Sequence, residues 1–234
     1  MTVAVPSVFQ MLPLAVLGAV LGLDTVSFPQ AQLSRPIVAA TFGGAFVGQA
    51  LAGLFVGIAL EMIALETLPF GASRYPEWGS ASVVGGALYA AQPSLTAGAM
   101  TCAVVAALAT AWVGGVSMVG LRRLNARWAR PRLADLAAGS RATVEGLQVG
   151  GLVADLIRGA LLTVIGLMVF SPLMNAALSH WSVDGRFSRA VVVGTAASVA
   201  VGAVWKIFHT TTGARWYLLG GGALGLVLAR VLAS

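Results

Sequence analysis

Charge is what this 234-residue chain has least of. Only 9% of its residues are Asp, Glu, Lys or Arg, where soluble domains carry roughly 25%. A water-facing surface cannot be built from so few charges at this length, so lipid must supply most of the solvent. The mean hydropathy of +0.90 agrees. Soluble enzyme folds and nucleic-acid modules are set aside, although 14 Lys and Arg against 8 Asp and Glu leave a formal charge of +6. The single cysteine excludes an intrachain disulfide or a cysteine metal site. Cys102 lies in an apolar run and reads as a small buried residue. The two histidines, His180 and His209, have no nucleophile or metal partner nearby in sequence and read as interfacial. There is no GxxxxGK[ST] loop and no HExxH. No catalytic residue, metal or cofactor is therefore expected. Residues 1–10 hold no Lys or Arg, so Met11 to Leu23 reads as a short retained membrane segment rather than a signal peptide.

What is present is a series of apolar runs with distinct breaks. Pro36 to Leu68 is too long for one span: it reads as two elements, with a break at Gly48-Gln49, or as one long helix with an end outside the core. Residues 69–79 read as a turn, with Tyr75 and Trp78 suited to an interfacial aromatic belt. Gly79 to Leu121 divides at Gln92-Pro93-Ser94, where proline restricts itself and its predecessor. Residues 122–141 form a basic loop, with Arg122, Arg123, Arg127, Arg130, Arg132 and Arg141 against Asp135 alone. The positive-inside rule places that loop in the cytoplasm, and anionic headgroups or a cytoplasmic partner could also use it. Thr143 to Ser179, about 188–208 and about 217–232 complete the chain. The expected fold is an all-α, polytopic, single-domain membrane protein over 1–234. It has six to eight membrane-embedded elements, some of them re-entrant hairpins.

Glu61 is the principal candidate for chemistry, because a carboxylate inside a long apolar run is costly and functional by default. Gln49, Gly53, Gly57 and Glu61 recur every four residues and share one helical stripe. The glycines read as small-residue packing; the carboxylate could accept hydrogen bonds from sugar hydroxyls. Glu66 lies off that face near the turn, and Asp155 and Arg158 are spaced to pair. Asp24, Gln30, Gln32 and Arg35 make a polar patch after the first apolar segment, either an ordinary loop or part of a binding site folded inward.

Arg35-Pro36-Ile37-Val38, the glycines at 44 and 48, Ala52-Gly53 and above all the run from Gly57 to Leu65, GIALEMIAL, resemble enzyme IIC of the mannose/fructose/sorbose phosphotransferase family. Gly71-Ala72 followed by Pro76-Glu77 resembles that family's Gly-Ala…Pro-acid turn. Val47-Gly48-Gln49 stands at its LGD-like step, with an amide in place of the acid, and Glu66-Thr67 stands where it usually has Gly-Trp. The resemblance implies a sugar-translocating, non-enzymatic subunit of the bacterial inner membrane. Its sugar pocket would draw on Glu61, Gln32, Gln49 and Glu66. The subunit would pair with a IID membrane subunit, as a trimer of IIC–IID pairs, and be served by IIA and IIB phosphocarriers. An ion-coupled transporter with Glu61 as proton carrier, and a non-transporting scaffold, are the alternatives.

Overall fold

The computed structural model describes residues 8–25, 27–66 and 75–232, with side chains from Met11 onward. Residues 67–74, including Thr67, Gly71 and Ala72, lie outside the described residues. Among those described, eight helices of eleven or more residues account for the fold. They are α1 (Val8–Asp24), α2 (Pro36–Phe46), α3 (Ala50–Ala64), α4 (Trp78–Ala90), α5 (Ala97–Ala129), α7 (Arg141–Ser179), α8 (Gly185–Phe208) and α9 (Ala214–Leu232). A 3-10 turn (Arg130–Arg132) and a five-residue α6 (Leu133–Ala137) lie between α5 and α7.

The helices fall into two length classes. α5 with its continuation, α7 and α8 are long and apolar enough to cross a membrane. α2 and α3, with 11 and 15 residues, reach only about 17 and 23 Å, against a hydrocarbon core of roughly 30 Å. They form a hairpin whose tip is Val47–Gln49. Gly48 there has φ +89°, the left-handed region that suits glycine. Gln49 is the residue before α3 rather than part of it. The break expected at Gly48-Gln49 is present, and so is that at Gln92–Ser94, which separates α4 from α5.

All 13 residues of α4 are buried. It packs against α1, α2, α3, α5 and α7. A helix shorter than the bilayer and surrounded by protein needs its ends satisfied internally. The Glu77 side chain accepts from Ser80 N–H at 3.1 Å and closes the first turn of α4. Thr96 does the same for α5 through Ala99 N–H, and Asp184 for α8 through Arg186 and Phe187.

Two expectations change. Trp78 is buried as the first residue of α4 and does not join an interfacial belt; Tyr75 sits with Arg122, its hydroxyl 3.2 Å from Nη2. The basic segment 122–141 is largely helical rather than an open loop. α5 continues to Ala129, and Gly139, at φ +73°, leads into Ser140 and α7. Its Arg, Leu and Ala residues favour helix, and proline enters only at Pro131. With 33 and 39 residues, α5 and α7 run about 50 and 58 Å and project as a basic helical hairpin.

Candidate functional site

α1 ends on an acid, Asp24, where the helix dipole disfavours negative charge. The loop that follows supplies the compensation. Ala31 N–H donates to Asp24 Oδ1 at 2.6 Å and Ser34 N–H to Oδ2 at 2.8 Å. Asp24 is 2% exposed, so these bonds form away from water, where they are worth most. The loop is wound tightly around this carboxylate. Gln30 and Gln32 both have positive φ, 60° and 65°. Non-glycine residues held there cost about 1–3 kcal/mol each and persist only when their surroundings enforce them. Strained backbone held in place by a stapled loop is a reason to place function here.

The loop leads directly to the Glu61 site. Arg35 N–H donates to the Gln32 carbonyl at 3.2 Å, and the Arg35 guanidinium is ion-paired with Glu61. The second Glu61 oxygen accepts from Ile37 N–H at 3.2 Å, in the first turn of α2. Glu61 thus joins the end of α3 to the start of α2 while keeping some exposure, 18% of its side chain.

Beneath the same loop lies a second polar group. Asp155, fully buried on α7, accepts from Ser27 Oγ at 2.5 Å and from Arg158 Nε at 2.8 Å. Arg158 Nη1 lies 3.3 Å from Ser117 Oγ on α5. Glu77, 1% exposed, completes the buried set; its Oε2 has no hydrogen-bond partner among the described residues. Gly114 makes room for it, since a Cβ there would stand 2.6 Å from Glu77 Cβ. Ser80 Oγ donates to the Gly18 carbonyl at 2.9 Å and so ties α4 to α1. Among the described residues no three His, Cys, Asp or Glu side chains come together at metal-binding distance.

The residues named from sequence therefore divide. Gln32 and Glu61 lie within one connected polar region. Gln49 stands at the hairpin tip, twelve residues from Glu61 along α3, about 18 Å away. Glu66 is drawn into a surface ion pair with Lys206 at 2.9 Å. These four do not form one pocket in this conformation: the helical stripe that linked Gln49 to Glu61 runs along the hairpin, not across a cavity. Gly53 and Gly57 are packing residues. A Cβ on Gly53 would collide with the Ala40 carbonyl, and one on Gly57 would stand 2.9 Å from Ile37 Cα. Asp155 and Arg158 do pair, as their spacing suggested. Ser27, Ser117 and the organising role of Asp24 were not found from sequence; an acid closing an apolar segment was the only signal available for Asp24.

Comparison with known proteins bears on this arrangement. Two solved structures share the fold across 97% of this chain and 96% of their own, each at 20% identity. One, described as a membrane protein, superposes with a TM-score of 0.70. The other, the mannose transporter ManYZ in complex with microcin E492, gives 0.60. No curated protein matches the sequence. The family model described as the PTS system sorbose-specific IIC component matches residues 8–220. That match spans the hairpin, the stapled loop and the buried acids alike, and the chain belongs to this family of multi-pass sugar-transport components of the phosphotransferase system.

Proposed function

We propose that this chain binds a hexose or related sugar and moves it inward across a bacterial inner membrane for phosphorylation by a IIB partner. The observation that carries the reading is the stapled loop 27–35, set beside Glu61 and over the buried Asp155–Arg158 pair within a family-matched transport fold. Gln32 and Glu61 are the proposed sugar contacts. Glu61 already accepts two hydrogen bonds, yet a carboxylate offers about four lone-pair sites, so acceptance by sugar hydroxyls remains open to it. Gln49, at the hairpin tip, is proposed to meet the sugar only if the hairpin shifts during transport. Glu66 is a peripheral candidate, available once its pairing with Lys206 opens.

A IID membrane subunit is the proposed partner, in a trimer of IIC–IID pairs served by IIA and IIB. α9 supports a membrane-embedded partner of some kind. It contacts the rest of the chain through α8, and Gly220, Gly221, Gly222 and Gly225 would place their Cβ atoms in open space. Small residues on a membrane helix allow close approach of another helix, and here none among the described residues occupies the place.

The test is sugar accumulation in membrane vesicles carrying this chain and its candidate IID partner, with and without phosphoenolpyruvate and the soluble phosphocarriers. Sugar phosphate should accumulate only when all are present. Uptake of free sugar without phosphoenolpyruvate would replace the reading with an ion-coupled or facilitative carrier. No uptake of any hexose by folded, paired protein would leave a scaffold.

A further inference from the structure

The projecting basic hairpin contains a cleft of about 300 Å³ that the transport reading does not use. Its walls are Arg127 and Trp128 at the end of α5, Pro131 and Arg132 of the 3-10 turn, and Gly146, Leu147 and Gly150 of α7. The glycines keep it open. They are one turn apart on α7; a Cβ on Gly146 would meet nothing within 4 Å, and one on Gly150 would approach only the Trp128 ring, at 3.9 Å. The floor of the cleft is therefore bare backbone.

Its charge is uncompensated. Neither Arg127 nor Arg132 has an ion-pair partner among the described residues, and no carboxylate lines the cleft. By contrast Arg141 is held by Glu145 at 2.6 Å and Arg158 by Asp155. Two guanidinium groups on one cleft, each a rigid fork of N–H donors, match the oxygens of a phosphate better than any neutral ligand.

The depth of the cleft identifies where such a phosphate would come from. Val149, Val153, Ile157, Leu161, Ile165, Val169 and Leu173 form an exposed apolar row on α7 at every fourth residue. From Val149 to Leu173 the row measures about 36 Å, enough to cross a hydrocarbon core of roughly 30 Å. Gly146 and Gly150 therefore lie at its edge, and the arginines at headgroup level, with half-exposed Trp128 in the interfacial zone that suits its ring.

We propose that this cleft binds a phosphate ester at the membrane surface, with the headgroup of an anionic phospholipid as its source. Binding would be measured on the full-length protein in detergent by native mass spectrometry, titrating phosphatidylglycerol against phosphatidylcholine. Phosphatidylglycerol should be retained preferentially. Arg127→Gln with Arg132→Gln should weaken retention roughly thirtyfold, and Gly150→Leu, which fills the cleft without changing charge, should weaken it as well. Arg130→Gln, whose side chain is exposed and outside the cleft, should cost less than the roughly fivefold that one arginine of a diffuse basic surface is worth. Equal retention of both lipids would overturn the proposal. So would a loss for Arg130→Gln as large as that for Arg127→Gln alone, or full retention by a folded Gly150→Leu protein, since either would mean diffuse attraction to a basic surface. Glycerol 3-phosphate is the second probe: failure to displace the lipid supports the headgroup assignment, and displacement at equal concentration would assign the same cleft to soluble phosphate esters.

Discussion

Arg158→Met gives the sharpest expectation about what holds this fold together. The Asp155 carboxylate is fully buried and the Arg158 side chain 9% exposed, with Nη2 and Oδ1 2.8 Å apart. At an effective dielectric of about 20 the gross attraction at that distance is about 6 kcal/mol, most of it offset by the desolvation of both charges. Removing one partner forfeits the attraction and leaves a carboxylate in the interior with, among the described residues, only Ser27 to solvate it. Breaking a buried pair in this way typically costs about 3–5 kcal/mol. For a chain of this size that corresponds to a fall of roughly 6–20 °C in thermal midpoint, read by tryptophan fluorescence in detergent. The double variant Asp155→Asn with Arg158→Met buries no unpaired charge and should recover at least half of the loss. A double-mutant cycle with no coupling, or an Arg158→Met midpoint within a degree of the parent, would refute the claim that this pair is held at a desolvated crossing of α1, α5 and α7.

Glu61→Gln should leave the protein folded and reduce sugar uptake at least about tenfold, since charged hydrogen bonds are worth roughly 1.5–3 kcal/mol; wild-type uptake by a well-expressed variant would remove the central functional claim. Asp24→Asn should loosen loop 27–35 by about 1–3 kcal/mol, because an amide N–H₂ replaces one of the two acceptors facing Ala31 and Ser34. Hydrogen exchange at those two amides reports it, and unchanged protection would show the loop to be held elsewhere. Gly53→Val should open the α2–α3 hairpin at about 1–3 kcal/mol or more, as its Cβ meets the Ala40 carbonyl; an unaltered midpoint would mean the hairpin flexes freely. Ala138→Cys, in a Cys102→Ala background, should escape an impermeant thiol reagent in intact cells and react in inverted vesicles, as a cytoplasmic hairpin requires; labelling in intact cells would reverse the orientation.

The breaks in this chain were legible because turn chemistry is local. Gly48 requires a left-handed backbone and Pro93 limits its neighbour, so both short hairpin elements could be placed without any knowledge of packing. The basic segment misled for an equally local reason. Charge density suggested an exposed loop, while the helix-forming bias of its Arg, Leu and Ala residues carried α5 onward to Ala129. Trp78 misled because its fate depends on five surrounding helices, not on its neighbours in sequence. The Ser27–Asp155 hydrogen bond joins residues 128 positions apart. Nothing in a single sequence marks a serine in a polar loop as the partner of an acid on a distant helix.

The two short hairpin helices and α4 share a consequence. Each is shorter than a helix that crosses a bilayer, so an end buried in the protein must be satisfied by protein. Glu77 does this for α4 and Glu61 contributes to it for α2, while Asp24 does the same for the loop that links α1 to α2. The carboxylates that look like isolated charges in an apolar sequence are thus fixed to backbone N–H groups. Two of them, Asp24 and Glu77, are also buried; Asp155 is buried too, but side chains hold it, Ser27 and Arg158. A rigid acid anchored to backbone offers its remaining lone pairs in a fixed direction, which is what recognition of a hydroxylated ligand requires. The same anchoring means that an acid-to-amide change acts on structure and on recognition together. Glu61, which retains more exposure than the buried acids and faces Arg35, is the position where the two effects separate most cleanly: its amide keeps an oxygen to accept from Ile37 N–H, so stability should fall less than uptake.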